Sequence, residues 1–352
     1  MRQGLKVCWA LALAGIATAA QAAGVLVESD ERSLATGQVI FQRGVFRVEP
    51  DGKEVSMLCL PTDGKWKYLG SGRDCGNPPP PHLQREIARY PEDVTFFNVL
   101  NLGISNEQWD DAKRQGKAST AVLRSIGEAF SYQVGTNDVR WHFQSAKLPR
   151  ELKTPIPGAA IAFHFGHRFS GPRRPLLLAP DGDLLVETAL AMPRAATTGE
   201  AHTGVTIAVD LEVPTTSGQE VGLVMIVNVF HPEARSSETI RSDGRVSFGS
   251  SYLGPGTKYV VAVANARKSD VWKGFERFAF KFTRESLRRL VTEANAKGVE
   301  RGGTKFVLDP GKLDQIRVTG VTVRNENRRL DKGSVDVEVA VDYLRLARTS
   351  AR

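Results

Sequence analysis

Apolar and polar residues alternate with a period of two along most of the chain after residue 134. The segment TGVTIAVDLEV places an aliphatic side chain at every second position, and DVRWHFQ, FERFAFKFT and SVDVEVAVDY repeat the pattern. Successive side chains of a strand point to opposite faces of a sheet, so this alternation predicts strands with one buried face. EVGLVMIVNVF is apolar at adjacent positions and predicts a central strand that is covered on both faces.

Turn sequences such as PDGD, SDGR and GPG separate these runs, which is typical of a two-sheet β-sandwich. One helix interrupts the strands, because TRESLRRLVTEANAKG has the signals to begin at Thr283 and to end near Gly298. Residues 23–133 instead mix strand patterns with a helix that the capping sequence SNEQW starts at Ser105. We therefore predict a mainly β protein, in which a smaller mixed α+β domain (23–133) precedes a β-sandwich domain (134–352).

The first 22 residues, MRQGLKVCWALALAGIATAAQA, have the layout of a secretory signal peptide. A positive start precedes an apolar run that is shorter than the roughly 20 residues of a membrane span, and small residues end the segment at Ala22. No later segment is long and apolar enough to predict a transmembrane anchor. We expect cleavage after Ala22 and export to a bacterial periplasm or to the extracellular medium.

The charge of the exported chain is mildly positive and spread along the sequence. Loss of Arg2 and Lys6 with the signal peptide lowers the formal charge from +8 to +6. Because no basic block is present, nucleic acid is not an expected partner, whereas acidic glycans or an anionic envelope surface are compatible with the charge. No cofactor-binding motif is present, and no cofactor is expected.

Two cysteines, Cys59 and Cys75, remain after the signal peptide and bracket a loop rich in turn residues. In an oxidising compartment such a pair is expected to form a disulfide. Closing a loop of this length would stabilise the fold by about 3 kcal/mol.

Residues 134–348 resemble the jelly-roll β-sandwich domains of secreted carbohydrate-active proteins. The resemblance lies in the order of strands, the late helix and the final strand VDVEVAVDYLRL. It implies a jelly-roll-like sandwich, and in many such domains a concave sheet face binds glycans. Some of them hold a structural calcium near the last strand, for which Asp342 would be the matching carboxylate; alternatively, Asp342 is one of three exposed acids with Asp336 and Glu338.

The segment IAFHFGHRF sets two histidines and an arginine into an aromatic run. On a regular strand His164 and His167 point to opposite faces, so they cannot chelate one metal ion unless a bulge at Gly166 shifts the register. His164 and Arg168 share a face and flank Gly166, which would leave a flat floor between two hydrogen-bonding groups. This face is either a ligand surface or simply the face that meets solvent.

A second strand repeats the arrangement, because Arg140, His142 and Gln144 alternate with apolar residues in DVRWHFQ. If both strands belong to one sheet, their polar faces would together form a ligand-binding surface rich in hydrogen-bond donors. Aromatic rings that stack on sugars would come from loops, with Trp272, Tyr252 and Tyr259 as candidates, of which Tyr259 is expected to be buried.

Catalysis would require other residues. A glycoside hydrolase needs two carboxylates facing one cleft, and Glu187, Asp210 and Glu212 are the best candidates in the chain. A polysaccharide lyase would use His142 and its neighbours on the same strand face, although the tripeptide and the Tyr-Phe-Lys run of alginate-lyase jelly rolls are missing. No G-x-S-x-G motif of a serine hydrolase occurs.

These patterns favour an exported, non-catalytic protein that binds glycan or associates with the cell envelope. Its ligand would lie on the two polar strand faces described above. A glycoside hydrolase or polysaccharide lyase is the first alternative. A structural partner in an envelope assembly, with the N-terminal domain as the interaction module, is the second.

Overall fold

The computed structural model describes most of the predicted sandwich and part of the region before it. The described residues are 24–36, 38–43, 46–48, 54–56, 59–62, 65–68, 94–101, 122–125, 129–148, 160–169, 174–180, 182–232, 238–242, 247–301 and 304–349. The predicted signal peptide, the helix start at Ser105 and Cys75 of the predicted disulfide all lie outside these residues.

Most of the described residues lie in strands. In order they are β1 (Val25–Asp30), β2 (Gln38–Arg43), β3 (Phe46–Val48), β4 (Glu54–Ser56), β5 (Cys59–Thr62), β6 (Lys65–Tyr68), β7 (Val94–Asn101), β8 (Val122–Ser125), β9 (Phe130–Val134), β10 (Val139–Gln144), β11 (Ala160–Arg168), β12 (Leu178–Ala179), β13 (Gly182–Gly199), β14 (His202–Pro214), β15 (Glu220–Phe230), β16 (Thr239–Ser242), β17 (Ser247–Tyr252), β18 (Val261–Ala264), β19 (Trp272–Lys281), β20 (Val299–Arg301), β21 (Thr304–Phe306), β22 (Arg317–Arg328) and β23 (Gly333–Arg348). The described helices are α1 (Glu31–Thr36) and α2 (Arg284–Lys297).

Two large sheets contain most of these strands. Sheet A runs in the order β18-β19-β13-β23-β10-β9-β8, with β1 added to β23 and β12 added to β13. Sheet B runs in the order β16-β17-β15-β14-β22-β11-β7-β2. Their neighbouring strands are antiparallel except for the parallel pairs β15–β17 and β2–β7.

The two sheets pack face to face around an aromatic and aliphatic core. Phe130 of sheet A stacks on Phe163 of sheet B with ring centroids 4.7 Å apart, and Trp141 of sheet A meets Phe97 of sheet B at 5.4 Å. This packing confirms the predicted fold class, a mainly β, jelly-roll-like two-sheet sandwich. The face of each sheet that points away from this core is called its outer face below.

The part of the N-terminal region that is described contributes strands to the sandwich. Strand β1 pairs with β23, β7 pairs with β11, and β9 pairs with β10. The predicted boundary between a separate N-terminal domain and the sandwich, at residues 133 and 134, stays a prediction. Among the described helices, none is long and apolar enough to cross a membrane.

Helix α2 begins and ends where the sequence predicts. The Thr283 side chain accepts a hydrogen bond from the Ser286 backbone N–H, and the Ser286 hydroxyl accepts one from the Thr283 N–H, which completes a capping box. Leu287 and Leu290 lie on the buried face of the helix. The helix stops at Gly298, whose φ is 81°. Glycine adopts a positive φ at little cost because it has no Cβ.

Strand β15 departs from its prediction. It is central, between β14 and β17, and one face is buried as expected. The other face was predicted to be covered as well, which is wrong: Val224 and Ile226 are half-buried on the outer face of sheet B, and Asn228 continues their row. Because no second layer covers this face among the described residues, its apolar side chains form the floor of an open groove.

Candidate functional site

A groove with a volume of about 360 Å³ lies on the outer face of sheet B. Strands β14, β15, β16, β17 and β22 supply its floor and walls, and the loop between β18 and β19 adds Arg267. Ile226, Thr206 and Asn228 lie in the floor, while Phe248 and Tyr252 supply aromatic rings. A concave site with an apolar floor and a few convergent polar groups is the usual form of a ligand pocket.

The pairing of strands explains why these residues meet. Tyr252 on β17 is the register partner of Asn228 on β15. On its other side Asn228 is the partner of Thr206 on β14, and Thr206 in turn is the partner of Arg324 on β22. His164 follows as the partner of Arg324. One row of side chains therefore crosses sheet B from the groove to strand β11, over residues that are far apart in sequence.

The groove carries more positive than negative charge. Arg241, Arg267 and Arg328 line it, and Glu326 is the one carboxylate among the described lining residues. Glu326 accepts a hydrogen bond of 2.5 Å from Arg328. Counted with neutral histidines, the described lining residues have a formal charge of +2.

Two histidines stand at one end of the groove. The rings of His202 and His231 lie 6.1 Å apart between centroids. Next to them, the Arg267 guanidinium lies over the Tyr252 ring at 5.3 Å from its centroid, a cation–π contact that presents both groups on the same wall. These residues offer donors, acceptors and a ring within one concavity.

The floor contains one fixed amide and one unsatisfied hydroxyl. Asn228 donates from its Nδ2 to the backbone oxygen of Ser251 at 2.7 Å and to the Ser250 hydroxyl at 3.4 Å, which fixes the orientation of the side chain. The Thr206 Oγ1 is buried and has no hydrogen-bond partner among the described residues. A buried hydroxyl without a partner costs free energy, so the Thr206 hydroxyl is a group that a bound water or ligand would satisfy.

His164 and Arg168, predicted from sequence as ligand-binding residues, lie on the same outer face as the groove. His164 is half-buried beside Arg324, and its burial, together with the charge of Arg324, lowers its pKa well below the usual value. His164 is therefore a neutral donor and acceptor at neutral pH. Arg168 is exposed at the end of strand β11.

Glycine is needed at position 166 for a structural reason that differs from the predicted one. A Cβ at this position would lie 2.1 Å from the backbone oxygen of Val321 and 2.6 Å from the Thr322 methyl group, so only glycine fits beside β22. The glycine serves the close approach of two strands, and the idea of a flat ligand floor does not explain it. His167 faces the core side, as predicted, where its Nδ1 lies 3.1 Å from the Thr95 hydroxyl.

The second predicted surface, formed by Arg140, His142 and Gln144, is not part of this face. Strand β10 belongs to sheet A, and these side chains lie on its outer face, on the opposite side of the sandwich from His164 and Arg168. The prediction that both strand faces form one surface is therefore wrong. It assumed that both strands join one sheet, whereas each pairs with a different distant strand.

The donors on β10 are already occupied by carboxylates. Arg140 donates to Glu338 at 3.1 Å and to a second acid, Asp138, at 2.7 Å. The His142 Nε2 lies 2.7 Å from Asp336, which also accepts a bond of 3.4 Å from Gln144 and one of 3.2 Å from Arg194. This network occupies the donors of all three side chains with acids of the chain, and binding of a ligand by these residues stays a prediction.

The three candidate catalytic acids do not converge. Glu187 is 5% exposed on the outer face of sheet A, where it accepts hydrogen bonds from Arg277 at 2.6 Å and Tyr343 at 2.9 Å. Asp210 and Glu212 lie on the outer face of sheet B, on the other side of the sandwich. The pairing of Glu187 with Asp210 across one cleft is therefore excluded by the sheet to which each belongs.

Both acids on sheet B have arginine partners. Arg324 donates to Asp210 at 3.1 Å, and Arg174 donates to Glu212 at 2.5 Å. Neither acid lines the groove described above.

The aromatic candidates divide into one groove residue and two core residues. Tyr252 lines the groove. Trp272 is buried against Phe230, with its indole N–H donating to the Leu190 backbone oxygen at 2.7 Å, so its prediction as a loop residue that stacks on sugars is wrong. Tyr259 is fully buried, as expected, and burial together with its bond to a glutamate raises its pKa.

Asp342 lies on the outer side of sheet A near three other acids. Burial and the charges of Asp138, Glu28 and Asp30 raise its pKa. Among the described residues, however, no group of three or more histidine, cysteine or acidic side chains is arranged to hold a metal ion. The calcium site that the resemblance implies therefore lacks a ligand set around Asp342 in the described part of the chain.

Sequence reasoning missed most of the groove. Arg241, Arg267, Arg328, His202 and His231 lie on separate strands and loops, and no local motif joins them. One signal was available: the apolar residues on both faces of EVGLVMIVNVF, which indicate an unusual surface on one side of the strand.

Comparison with known proteins adds little to this geometry. No protein-family model matches the chain, and no curated protein is similar to it in sequence. The family 11 xylanase from Neocallimastix patriciarum is a structural neighbour at 10% identity and a TM-score of 0.32, over 74% of this chain and 97% of that chain. The family 12 xyloglucanase from Bacillus licheniformis follows at 9% identity and a TM-score of 0.30, over 65% and 97%.

The adhesin domain of Epf from Streptococcus pyogenes is a third neighbour, at 9% identity and a TM-score of 0.25, over 75% of this chain and 61% of that chain. Likenesses this remote concern the general sandwich architecture and carry no information on ligand or activity.

Proposed function

We propose that this chain is an exported, non-catalytic glycan-binding protein whose ligand lies in the groove on the outer face of sheet B. The observation that carries the proposal is the groove itself, in which Asn228, Tyr252 and Arg267 line the same concavity as the apolar side chain of Ile226. Sugars present hydroxyls at their edges and C–H groups on their faces. A floor of this composition, with rings and forked donors around it, meets both kinds of group.

His164 and Arg168 extend the contact surface beyond the groove. Both lie on the same outer face, His164 in the row that begins at Tyr252 and Arg168 in the row of Gly320 and Asp210. Strand neighbours lie about 4.8 Å apart, so the row from β17 to β11 spans roughly 20 Å. A polysaccharide that crosses the strands would therefore contact this row of side chains through several sugar units at once.

Non-catalytic binding is favoured over hydrolysis by the partners of the acids. Hydrolysis of a glycosidic bond needs two carboxylates facing the same bond, about 5–9.5 Å apart. Glu326, the carboxylate among the described lining residues, bonds to Arg328, and the nearby acids Asp210 and Glu212 are held by Arg324 and Arg174. No described pair of carboxylates faces across the groove.

The test is retention of the exported protein on a panel of immobilised neutral and acidic polysaccharides, combined with a reducing-sugar assay on every polysaccharide that is retained. Tyr252→Ala should weaken binding about tenfold, which corresponds to an aromatic contact of about 1.4 kcal/mol. Gln144→Ala, on the outer face of sheet A, should leave binding unchanged. Thermal unfolding of each variant checks that the sandwich remains folded.

Other outcomes assign the protein differently. Sensitivity to Gln144→Ala with full binding by Tyr252→Ala would move the site to sheet A. Release of reducing sugar would make the protein an enzyme and direct attention to Asp210 and Glu212. Absence of binding to every polysaccharide would favour an envelope assembly partner.

A further inference from the structure

One position that lines the groove carries no side chain, although the fold does not require glycine there. Gly204 lies on the outer face of β14. A Cβ at this position would meet the Phe230 backbone oxygen at 3.5 Å and the His231 Cδ2 at 3.6 Å, which are ordinary contact distances, and the φ of Gly204 is not positive. Glycine weakens a strand interior and often marks a place where a ligand approaches the backbone.

The missing side chain leaves a gap with defined walls. Along β14 the same-face neighbours of Gly204 are His202 and Thr206, which stand about 13 Å apart at the usual rise of a strand. Glu326 on β22 is the register partner of Gly204, and His231 borders the gap on the side of β15. All four neighbours line the groove. The gap over Gly204 is therefore a depression of the groove with room for one sugar ring.

Two acceptor groups stand beside this gap. Asn228 uses its amide N–H groups on the Ser251 backbone oxygen and the Ser250 hydroxyl, and its Oδ1 has no hydrogen-bond partner among the described residues. Glu326 accepts one bond from Arg328 and, as a carboxylate, has further lone pairs to offer. A sugar hydroxyl can donate to both groups, whereas a carboxylate or sulfate has no hydrogen to donate and is repelled by Glu326.

Thr206 adds a hydroxyl that the described part of the chain leaves unsatisfied. The residue is 7% exposed, and its Oγ1 has no hydrogen-bond partner there. A hydroxyl both donates and accepts, so it can pair with a sugar hydroxyl in either direction. Such a bond would offset the free energy that the unpaired group costs in the free protein.

We propose that the groove binds a neutral glycan, one sugar ring of which lies in the gap over Gly204. Its hydroxyls donate to Asn228 and Glu326, and one of them pairs with Thr206. This inference rests on the proposed function and adds to it the substrate class and the residues that determine specificity.

The ligand class is tested with dextran, galactomannan and mixed-linkage β-glucan as neutral probes and with polygalacturonate as an acidic probe. Each neutral probe is also used after O-methylation, which removes the hydroxyl donors and leaves the polymer uncharged. Binding of the exported protein is measured by affinity electrophoresis and calorimetry at physiological ionic strength, where exposed charges are screened. We expect a neutral probe to bind more tightly than polygalacturonate, and its O-methylated form to bind at least about tenfold more weakly.

A methyl group placed in the gap tests its position. Gly204→Ala should weaken binding of the neutral probe about tenfold and should not lower the thermal unfolding midpoint, since alanine fits the backbone and contacts at this position. Gly222→Ala is the matched control. It adds the same group to the same outer face, on β15, meets no atom within 4 Å and is not among the described lining residues, so it should bind as the wild type does.

The hydroxyl of Thr206 is tested by the isosteric variant Thr206→Val. Loss of an unpaired buried hydroxyl should leave the unfolding midpoint unchanged or raise it, whereas binding of the neutral probe should fall about fivefold. A purely structural role would move stability and binding in the same direction. Thr292→Val, on the exposed side of α2, controls for the loss of a hydroxyl and should change neither quantity.

Each outcome separates the inference from the proposed function. Wild-type binding by Gly204→Ala and Thr206→Val, or equal losses in the two control variants, would overturn the gap as a sugar site and leave glycan binding standing. Binding of polygalacturonate alone, or equal binding of a probe and its O-methylated form, would overturn the neutral, hydroxyl-donating class. Failure of every polysaccharide to bind would remove the proposed function and the inference together.

Discussion

Replacement of Glu187 by glutamine is expected to destabilise the sandwich and to leave ligand binding unchanged. Glu187 lies on β13 under a cover of side chains from two neighbouring strands. The Arg277 Nε donates to it at 2.6 Å, the Tyr343 hydroxyl at 2.9 Å and the Arg345 Nη1 at 3.3 Å. Glutamine keeps the shape of the side chain but removes its charge and turns an NH₂ group toward donors.

The magnitude follows from how far the partners can return to water. Breaking a fully buried ion pair costs about 3–5 kcal/mol. Here Glu187 is 7% exposed as a side chain, whereas Arg277 is 49% and Arg345 is 31% exposed. Because both arginines can be resolvated, we expect Glu187→Gln to lower the free energy of unfolding by about 2 kcal/mol.

Tyr343 gives a second readout of the same contact. Burial and the hydrogen bond to Glu187 raise the pKa of Tyr343 to about 12. In Glu187→Gln the contribution of the carboxylate disappears while burial remains. The pKa of Tyr343 should therefore fall towards its ordinary value. An ultraviolet pH titration of Glu187→Gln can follow this fall when the titration of the double variant with Tyr343→Phe is subtracted from it, because the difference contains Tyr343 alone.

Urea unfolding of the wild type, Glu187→Gln, Tyr343→Phe and the double variant forms a double-mutant cycle. Coupling between the two positions of about 1 kcal/mol is expected, because each single change breaks the same hydrogen bond. A free energy of unfolding within about 0.5 kcal/mol of the wild type would refute the structural role of Glu187. So would loss of glycan binding, or of any sugar release, at unchanged stability, since that result would return Glu187 to a catalytic site.

Two further predictions test particular contacts. Gly166→Ala should destabilise the fold by about 2 kcal/mol or more because its Cβ would overlap backbone atoms of the neighbouring strand, whereas Gly222→Ala, which meets no atom within 4 Å, should stay within about 0.5 kcal/mol of the wild type in urea unfolding. For Asp336, burial alone would raise its pKa, but the hydrogen bonds from His142, Gln144 and Arg194 outweigh burial and hold the pKa below its ordinary value. Its contribution to stability is therefore present above pH 4 or so and is lost as the pH falls through the lowered value. The difference in unfolding free energy between the wild type and Asp336→Asn, below about 1 kcal/mol at pH 7 for so exposed a group, should shrink as the pH falls below about 4, and a difference that grows on acidification would contradict this assignment.

The strands and their buried faces were predictable because the signal is local. Alternation in TGVTIAVDLEV and SVDVEVAVDY is enough to place β14 and β23 and to choose which side chains enter the core. The capping residues of α2 are equally local. What these patterns do not contain is the identity of the neighbouring strand, which depends on residues far away in sequence.

The errors in the site prediction have this one cause. Strands β10 and β11 are close in sequence and similar in pattern, yet β10 pairs with β23 in sheet A and β11 pairs with β22 in sheet B. The same limit applies to Glu187, whose register partner on β23 is Arg345. An acid in an apolar strand indicates burial, but only the neighbouring strand shows whether its charge is already balanced.

The partner strand also explains why similar side chains differ in their contacts on the two outer faces. On sheet A, the outward residues of β23 next to β10 are Asp336 and Glu338, so the cationic and polar side chains of β10 are neutralised within the protein. On sheet B, β16 and the β18–β19 loop bring Arg241 and Arg267 to a groove whose single described carboxylate, Glu326, already has a partner. The groove joins an apolar floor to aromatic and polar walls, whereas the side chains of β10 are engaged with acids of the chain, and for this reason the groove, more than the face of β10, is where a ligand should be sought.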